Sequence, residues 1–501
     1  APEQRDVAIQ NALRARHSEV TSRIGALDAR LAEEFPGYAA LTTPKPLAIE
    51  AIQDILNGNE ALVFVASGAR QSLVWVIDRT TAHVDLVELG TDELTREVAA
   101  LRCGLDTAAW QVDGALDCQT LLGLTRQQDA PLPFDVSRAH RLYNTLLAPL
   151  RDRLEGKHLF VAAVGPLATL PLSVLVTEPP AASIPEATQT YAGVAWLARR
   201  HAVTTLPSVA SLASLRSAAK RSRAAKPYVG FGNPLLAGRD GFDRRAWAKQ
   251  SCLEEREPRS RSVHAGTTLP VGLDKIFRGN LADTQVLRRQ APLPETADEL
   301  CAVARELTAD PRDVNLGERA TEAEVKSLNE KGSLAGYRTV HFATHGLLAS
   351  ETESLGQGAE PALLLTPPDV ATRADDGLLT ASEVAQLQLD ADWIVLSACN
   401  TASGEKGGAE ALSGLARAFF YAGARALLVS HWYVDSDAAV KLVTHAFGEL
   451  RRDPAIGRAE AMRRATLALM NDTSRPMHWT PAAHPSVWAP FVVVGEGGAG
   501  L

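Results

Sequence analysis

The chain has 501 residues, 46% hydrophobic and 22% charged, with a formal net charge of −8 and a pI near 5.9. That length exceeds one ordinary core of ~150 residues, so two or three globular domains are expected. The acidic balance excludes wholesale binding to nucleic acid or anionic lipid, and no apolar run approaches the ~20 residues of a membrane-spanning helix.

The sequence opens Ala1-Pro2-Glu3-Gln4 without a Met or a signal-peptide pattern, as a processed or trimmed chain would. Its five cysteines, Cys103, Cys118, Cys252, Cys301 and Cys399, are odd in number and widely spaced. They suggest neither a disulfide framework nor a zinc site, so a reducing cytoplasm is expected, with no metal and no cofactor. By default each is a small buried hydrophobe.

Residues 7–34 read as one amphipathic helix, with Ile9, Leu13, Val20, Ile24, Leu27 and Leu31 at helical spacing, stopped by Phe35-Pro36-Gly37. Its stripe must be buried on this chain or close a helical array lying upstream. From Glu60 to Leu89 the period changes to two, in ALVFVAS, SLVWVID and HVDLVEL, which predicts a three-stranded meander. A helix near 136–150, a buried strand at HLFVAAV and another at Tyr228–Gly232 follow. Residues 236–290 are rich in arginine (Arg239, Arg244, Arg245, Arg256, Arg259, Arg261) and poor in apolar residues, and read as a long exposed insert.

Beyond the insert, strands alternate with helices. A helix at 295–307 leads to strand 338–343, and ALLL at 362–365 reads as part of a hairpin. Thr380 to Glu383 form a capping box. Strand 393–398, helix 409–422, strand 426–430, helices 437–450 and 454–470 and strand 491–494 complete the run. This alternation indicates βαβ units and a doubly wound α/β domain with a parallel sheet. In helix 409–422, Leu412, Leu415, Ala416, Phe419 and Phe420 form the stripe that covers it.

Reactive groups in such sheets collect beyond the carboxyl ends of the strands. Thr344-His345-Gly346 follows one strand and Ala398-Cys399-Asn400 another. Adjacent strands lie ~4.8 Å apart, so a thiol and an imidazole there form a nucleophile–base pair. The N–H groups of Gly346 and Cys399 suit an oxyanion hole. Cysteine follows histidine by about 54 residues, the spacing of the caspase arrangement. Each residue alone has a bland reading: a cysteine at a strand end is usually packing and a loop histidine is usually inert. His341 competes as base, but inside its strand and without a following glycine it reads as a core histidine. His431, at another strand end, reads as structural.

The segments TVHFATHGLLAS and WIVLSACNTASGEKGGAEALSGLARAFFYAGARALLVSHWYVDSDAA resemble the CHAT family, the caspase-like peptidases often fused to tetratricopeptide repeats. Weaker likeness runs through HLFVAAVGPLATLPLSVL, GFGNP, LPETADEL and HPSVWAPFVVVGE, covering roughly 136–501. The resemblance implies a His345/Cys399 dyad with no obligatory third member, and Gly346 as oxyanion contributor. Separases resemble the segment Trp432-Tyr433-Val434-Asp435-Ser436-Asp437, whose acidic residues imply a basic P1. The other reading keeps Asp435 or Ser436 as N-cap and Asp437 as first-turn acid of the next helix.

The expected architecture is caspase-like α/β, a doubly wound mostly parallel sheet. Residues 1–45 would end an upstream helical repeat array that binds a regulator, 46–290 form an inactive half with its insert, and 291–501 form the catalytic half. The expected activity is cleavage of a protein substrate through an acyl-enzyme, with a basic P1 making the insert a self-cleavage loop. A silent interaction scaffold and a cysteine acyltransferase are the rival readings.

Overall fold

The computed structural model describes residues 7–34, 46–111, 116–126, 130–186, 188–218, 222–253, 277–278, 281–347, 360–397, 414–432, 436–474 and 480–499. Val7–Glu34 is a helix of 28 residues, as the periodicity predicts, and its Leu13 and Val20 are exposed.

Strands β1 (Glu60–Ser67), β2 (Ser72–Asp78) and β3 (Ala82–Val87) form the expected antiparallel meander. Strand β4 (His158–Ala163) lies parallel to β1, and β5 (Val203–Thr205) parallel to β4. Next come β6 (Lys226–Gly232), the short ribbon β7 (Phe277–Arg278) with β8 (Leu281–Ala282), β9 (Val314–Leu316) and β10 (Tyr337–Ala343). Three short strands, β11 (His345–Leu347), β12 (Ala362–Leu364) and β13 (Leu378–Thr380), make a separate antiparallel sheet. Strands β14 (Trp393–Leu396), β15 (Ala426–Ser430) and β16 (Phe491–Gly495) complete the set.

Eleven strands join in one sheet, in the order β3-β2-β1-β4-β5-β16-β15-β14-β10-β6-β9. Most neighbours are parallel; the meander and the β15–β16 pair are antiparallel. The architecture is therefore the mostly parallel α/β sheet expected. Two runs of strands meet where β16 lies parallel to β5, with Val493 opposite Thr204 and Val494 opposite Thr205. Strand β6 is hydrogen-bonded between β10 and β9, within the second run. The Gly414–Tyr421 helix buries Leu415, Ala416, Phe419 and Phe420, and Phe419 meets Phe342 of β10 at 5.7 Å. Such an aromatic is worth roughly 3–5 kcal/mol against alanine.

Arg216 straps the seam between the two runs. It bonds Glu60 at the start of β1 at 2.8 Å and Glu496, just past β16, at 2.7 Å. Burial alone would raise the Glu60 carboxyl, but Arg216 and Asn57 outweigh it and hold it low.

Two expectations are corrected. Four of the five cysteines are disulfide-bonded, as Cys103–Cys118 and Cys252–Cys301, with Cα–Cα distances of 5.7 and 5.4 Å. Sequence separations of 15 and 49 carried no sign of this, because the fold brings the partners together. Disulfides persist in oxidising compartments, so the cysteines give no support to the cytoplasmic expectation. Secondly, the described ends of the insert are folded. Leu236, Ala246 and Leu287 are buried, although Arg239, Arg244 and Arg245 are exposed as expected. Asn233, in the left-handed region with φ 49°, donates Nδ2 to the Ala246 and Lys249 carbonyls and pins the root of the insert. Residues 254–276 lie outside the described residues, and the proposed cleavage loop with them.

Candidate active site

Strand β10 runs parallel to β14, with Thr339 opposite Trp393 and Phe342 opposite Leu396. Every pair in that ladder is 54 positions apart in sequence, the same interval that separates His345 from Cys399. Past Phe342 the ladder is closed by the Ser397 N–H, which donates to the Phe342 carbonyl at 3.0 Å. Ser397 is the last described residue of this strand end; Cys399 lies outside the described residues.

His345 opens β11, separated from the end of β10 by one residue, and pairs opposite Leu364 of β12; Gly346 pairs opposite Leu363. Thr344 between them is buried and its hydroxyl donates to the Leu364 carbonyl, which fixes the turn from the main sheet into the small one. A compact core of Leu236, Leu287, Leu347, Leu364 and Leu378 underlies this sheet. The folded ends of the insert thus support the strand that carries His345.

Among the described residues, the imidazole of His345 is bonded to a backbone carbonyl: Nε2 lies 2.7 Å from the Ala291 oxygen. A carbonyl has no hydrogen to give, so Nε2 carries the proton and donates it, leaving Nδ1 as the lone pair. Burial lowers the His345 pKa below the usual 6.5, offset in part by the Ala291 bond. A neutral ring with a fixed tautomer is the form a general base needs.

His341 is wholly buried within β10, as its reading from sequence requires, but it is not an isolated core histidine. Its Nδ1 lies 3.0 Å from Tyr228 Oη, and its Nε2 lies 3.1 Å from Ser397 Oγ and 3.2 Å from Glu299 Oε1. Ser397 Oγ donates to the same carboxylate oxygen at 2.5 Å. Neither Tyr228, Glu299 nor Ser397 stood out in the sequence. The one available signal was a glutamate at 299, in a helix position flanked by buried residues. His431 is buried beside Trp432, and burial, followed by Arg102, lowers its pKa to about 3, which fits the structural reading.

Of the two acidic candidates, Asp435 lies outside the described residues. Asp437 stands in the first turn of the Ser436–Arg452 helix, 3.1 Å from Lys441, which also bonds Asp472 at 2.8 Å. That position suits the positive end of the helix. Among the described residues no cluster of His, Cys, Asp and Glu is suited to a metal ion. No helix among them is long and apolar enough to cross a membrane.

A family model described as CHAT domain matches residues 136–496, well over half of the chain. The chain belongs to the CHAT domain family. The chain is also similar to tetratricopeptide repeat protein 28 of Mus musculus, 29% identical over 234 residues, which is 41% of this chain and 9% of that protein. The Homo sapiens protein of the same name is 30% identical over 237 residues, 41% of this chain and 8% of its own length. The chain thus spans less than a tenth of these relatives. Among solved structures, the Saccharomyces cerevisiae separase–securin complex aligns over 89% of this chain and 30% of that one, with 8% identity and a TM-score of 0.43. The Arg-specific cysteine proteinase gingipain R aligns over 72% and 66%, with 10% identity and a TM-score of 0.34. At those scores neither neighbour carries an argument about function.

Proposed function

We propose that this CHAT chain is a cysteine endopeptidase in which Cys399 is the nucleophile and His345 its base. The observation that carries the reading is the Nε2 bond to Ala291, which leaves Nδ1 of His345 as the proton acceptor at the carboxyl end of the sheet. The β10–β14 pairing supports it, because it sets side by side the carboxyl ends of the two strands that precede His345 and Cys399 in sequence.

In the reaction, Nδ1 takes the Cys399 thiol proton as sulfur bonds to the scissile carbonyl carbon. The N–H groups of Gly346 and Cys399 receive the oxyanion. The C–N bond then breaks, the amine leaves with the proton from Nδ1, and water releases the acyl group with the base reused. Asp435 and Asp437 would receive a basic P1 side chain, with Lys441 giving up part of its hold on Asp437. A regulator would bind through helical repeats upstream of Val7–Glu34, a role consistent with the names of the repeat-protein relatives.

Matched fluorogenic peptides test this. Arg at P1 should be cleaved faster than Asp at P1, and Cys399→Ala should lower the rate at least about 10³-fold. Preference for Asp would remove the acidic pocket from the reading, and undiminished cleavage by Cys399→Ala would remove the nucleophile. Binding of a partner with no turnover by the wild type would favour the scaffold.

A further inference from the structure

We propose that Glu299 is a positioning residue for the nucleophile, acting through Ser397 at the end of β14; the inference rests on reading Cys399 as that nucleophile.

Glu299 is 2% exposed on the Glu295–Glu306 helix, beside Leu300 and Val303, which are wholly buried. Desolvating a carboxylate there is costly, and a leucine would fill the space without that cost. What the carboxylate adds is direction. Its bonds reach off its own helix to two adjacent strands, to Ser397 just past β14 and to His341 within β10. Those residues precede Cys399 by two positions and His345 by four.

The network is closed. Tyr228 on β6 donates its O–H to Nδ1 of His341, while Nε2–H of His341 and the Ser397 hydroxyl both donate to Glu299, so each hydrogen has an acceptor. Ser397 is held twice, by its N–H on the Phe342 carbonyl at 3.0 Å and by its Oγ on Glu299 at 2.5 Å. The strand therefore ends at an anchored residue, and the reactive position begins two residues later. A nucleophile must be held within about 0.5 Å of its productive place, and a shift of about 1 Å lowers rates roughly 10²-fold. Glu299 and Ser397 supply that constraint from inside the core, without touching substrate.

The test uses the full chain with Glu299→Leu, Glu299→Gln, Ser397→Ala and Ser397→Thr. Glu306→Gln is the control, on the same helix but facing Arg451. Two quantities are measured: hydrogen exchange of the peptide spanning 394–400, and labelling rates of Cys399 by an Arg-P1 acyloxymethyl ketone and by chloroacetamide. Glu299→Leu and Ser397→Ala should speed exchange in that peptide. They should slow the ketone at least about tenfold while changing the chloroacetamide rate less than about twofold. Glu299→Gln and Ser397→Thr keep an oxygen in place and should stay within about threefold of wild type. Wild-type exchange and labelling in a folded Glu299→Leu protein would overturn the proposal. If Glu299→Leu does not fold, Ser397→Ala decides in the same way. If wild type is not labelled at Cys399, the peptidase reading fails and the positioning proposal falls with it; a labelled wild type with unchanged exchange and labelling in the variants overturns positioning alone.

Discussion

His345 donates its Nε2 hydrogen to the Ala291 carbonyl at 2.7 Å, so the proton acceptor on that ring is Nδ1. Ala291 directly follows the insert and His345 begins β11, so a backbone carbonyl of one segment sets the tautomer of a side chain in another. Burial holds the His345 pKa below 6.5, with Ala291 offsetting part of the effect. The free-base form therefore persists below pH 6.5. The acid limb of kcat/KM should lie below pH 6.5 and move or vanish in His345→Ala. An acid limb above 6.5 in the wild type would contradict this assignment.

The disulfides make a countable prediction. Alkylation of the denatured, unreduced chain should label Cys399 alone, and reduction should expose the other four thiols. Loop separations of 15 and 49 correspond to losses of about 3 and about 4 kcal/mol on opening each bond, by the chain-entropy estimate. Denaturant midpoints with and without reductant measure the effect. More than one free thiol before reduction would contradict the pairing.

Arg216 is the strap across the seam, with Glu60 and Glu496 each only 2% exposed at the side chain. Replacing it by alanine leaves two buried carboxylates without their cation, and should destabilise the protein by about 3–5 kcal/mol in a urea titration. The Glu60 carboxyl is held below its ordinary 4.5, so its contribution is present above about pH 4.5 and is lost as the pH falls through the lower folded value. Arg216→Ala should therefore remove part of the acid sensitivity of unfolding. A change below about 1 kcal/mol would mean the seam is held by the β5–β16 ladder alone.

The proposed acidic pocket is tested by substitution. Asp435→Asn should lower kcat/KM for an Arg P1 by at least about tenfold and leave other P1 residues nearly unchanged. Asp437→Asn should give a smaller loss together with lower stability, because Asp437 also pairs with Lys441 in the first helical turn. Equal losses for every P1 residue would assign both aspartates to folding.

The long, strongly periodic elements were legible in sequence. The meander from Glu60, the Val7–Glu34 helix and strand Ala426–Ser430 appear where hydrophobic period alone predicts them, and the Thr380–Glu383 capping box is formed. Strands β5 and β9 were not, because three residues are too few to show a period, although β5 carries the join between the two runs. The placement of His345 just past a strand was legible from the apolar run that precedes it. Its partner Ala291 was not, since a backbone carbonyl has no residue type to recognise. Glu299, Tyr228 and Ser397 each look ordinary in sequence and acquire meaning only where β6, β10, β14 and one helix converge.

The most direct test of the central claim is intact-mass analysis after treatment with an Arg-P1 acyloxymethyl ketone, for wild type, Cys399→Ala and His345→Ala. A single adduct on Cys399, absent in Cys399→Ala and slowed at least about tenfold in His345→Ala, is the expected result. An adduct that survives Cys399→Ala, or a wild type that neither an Arg nor an Asp probe labels, would contradict a formed dyad.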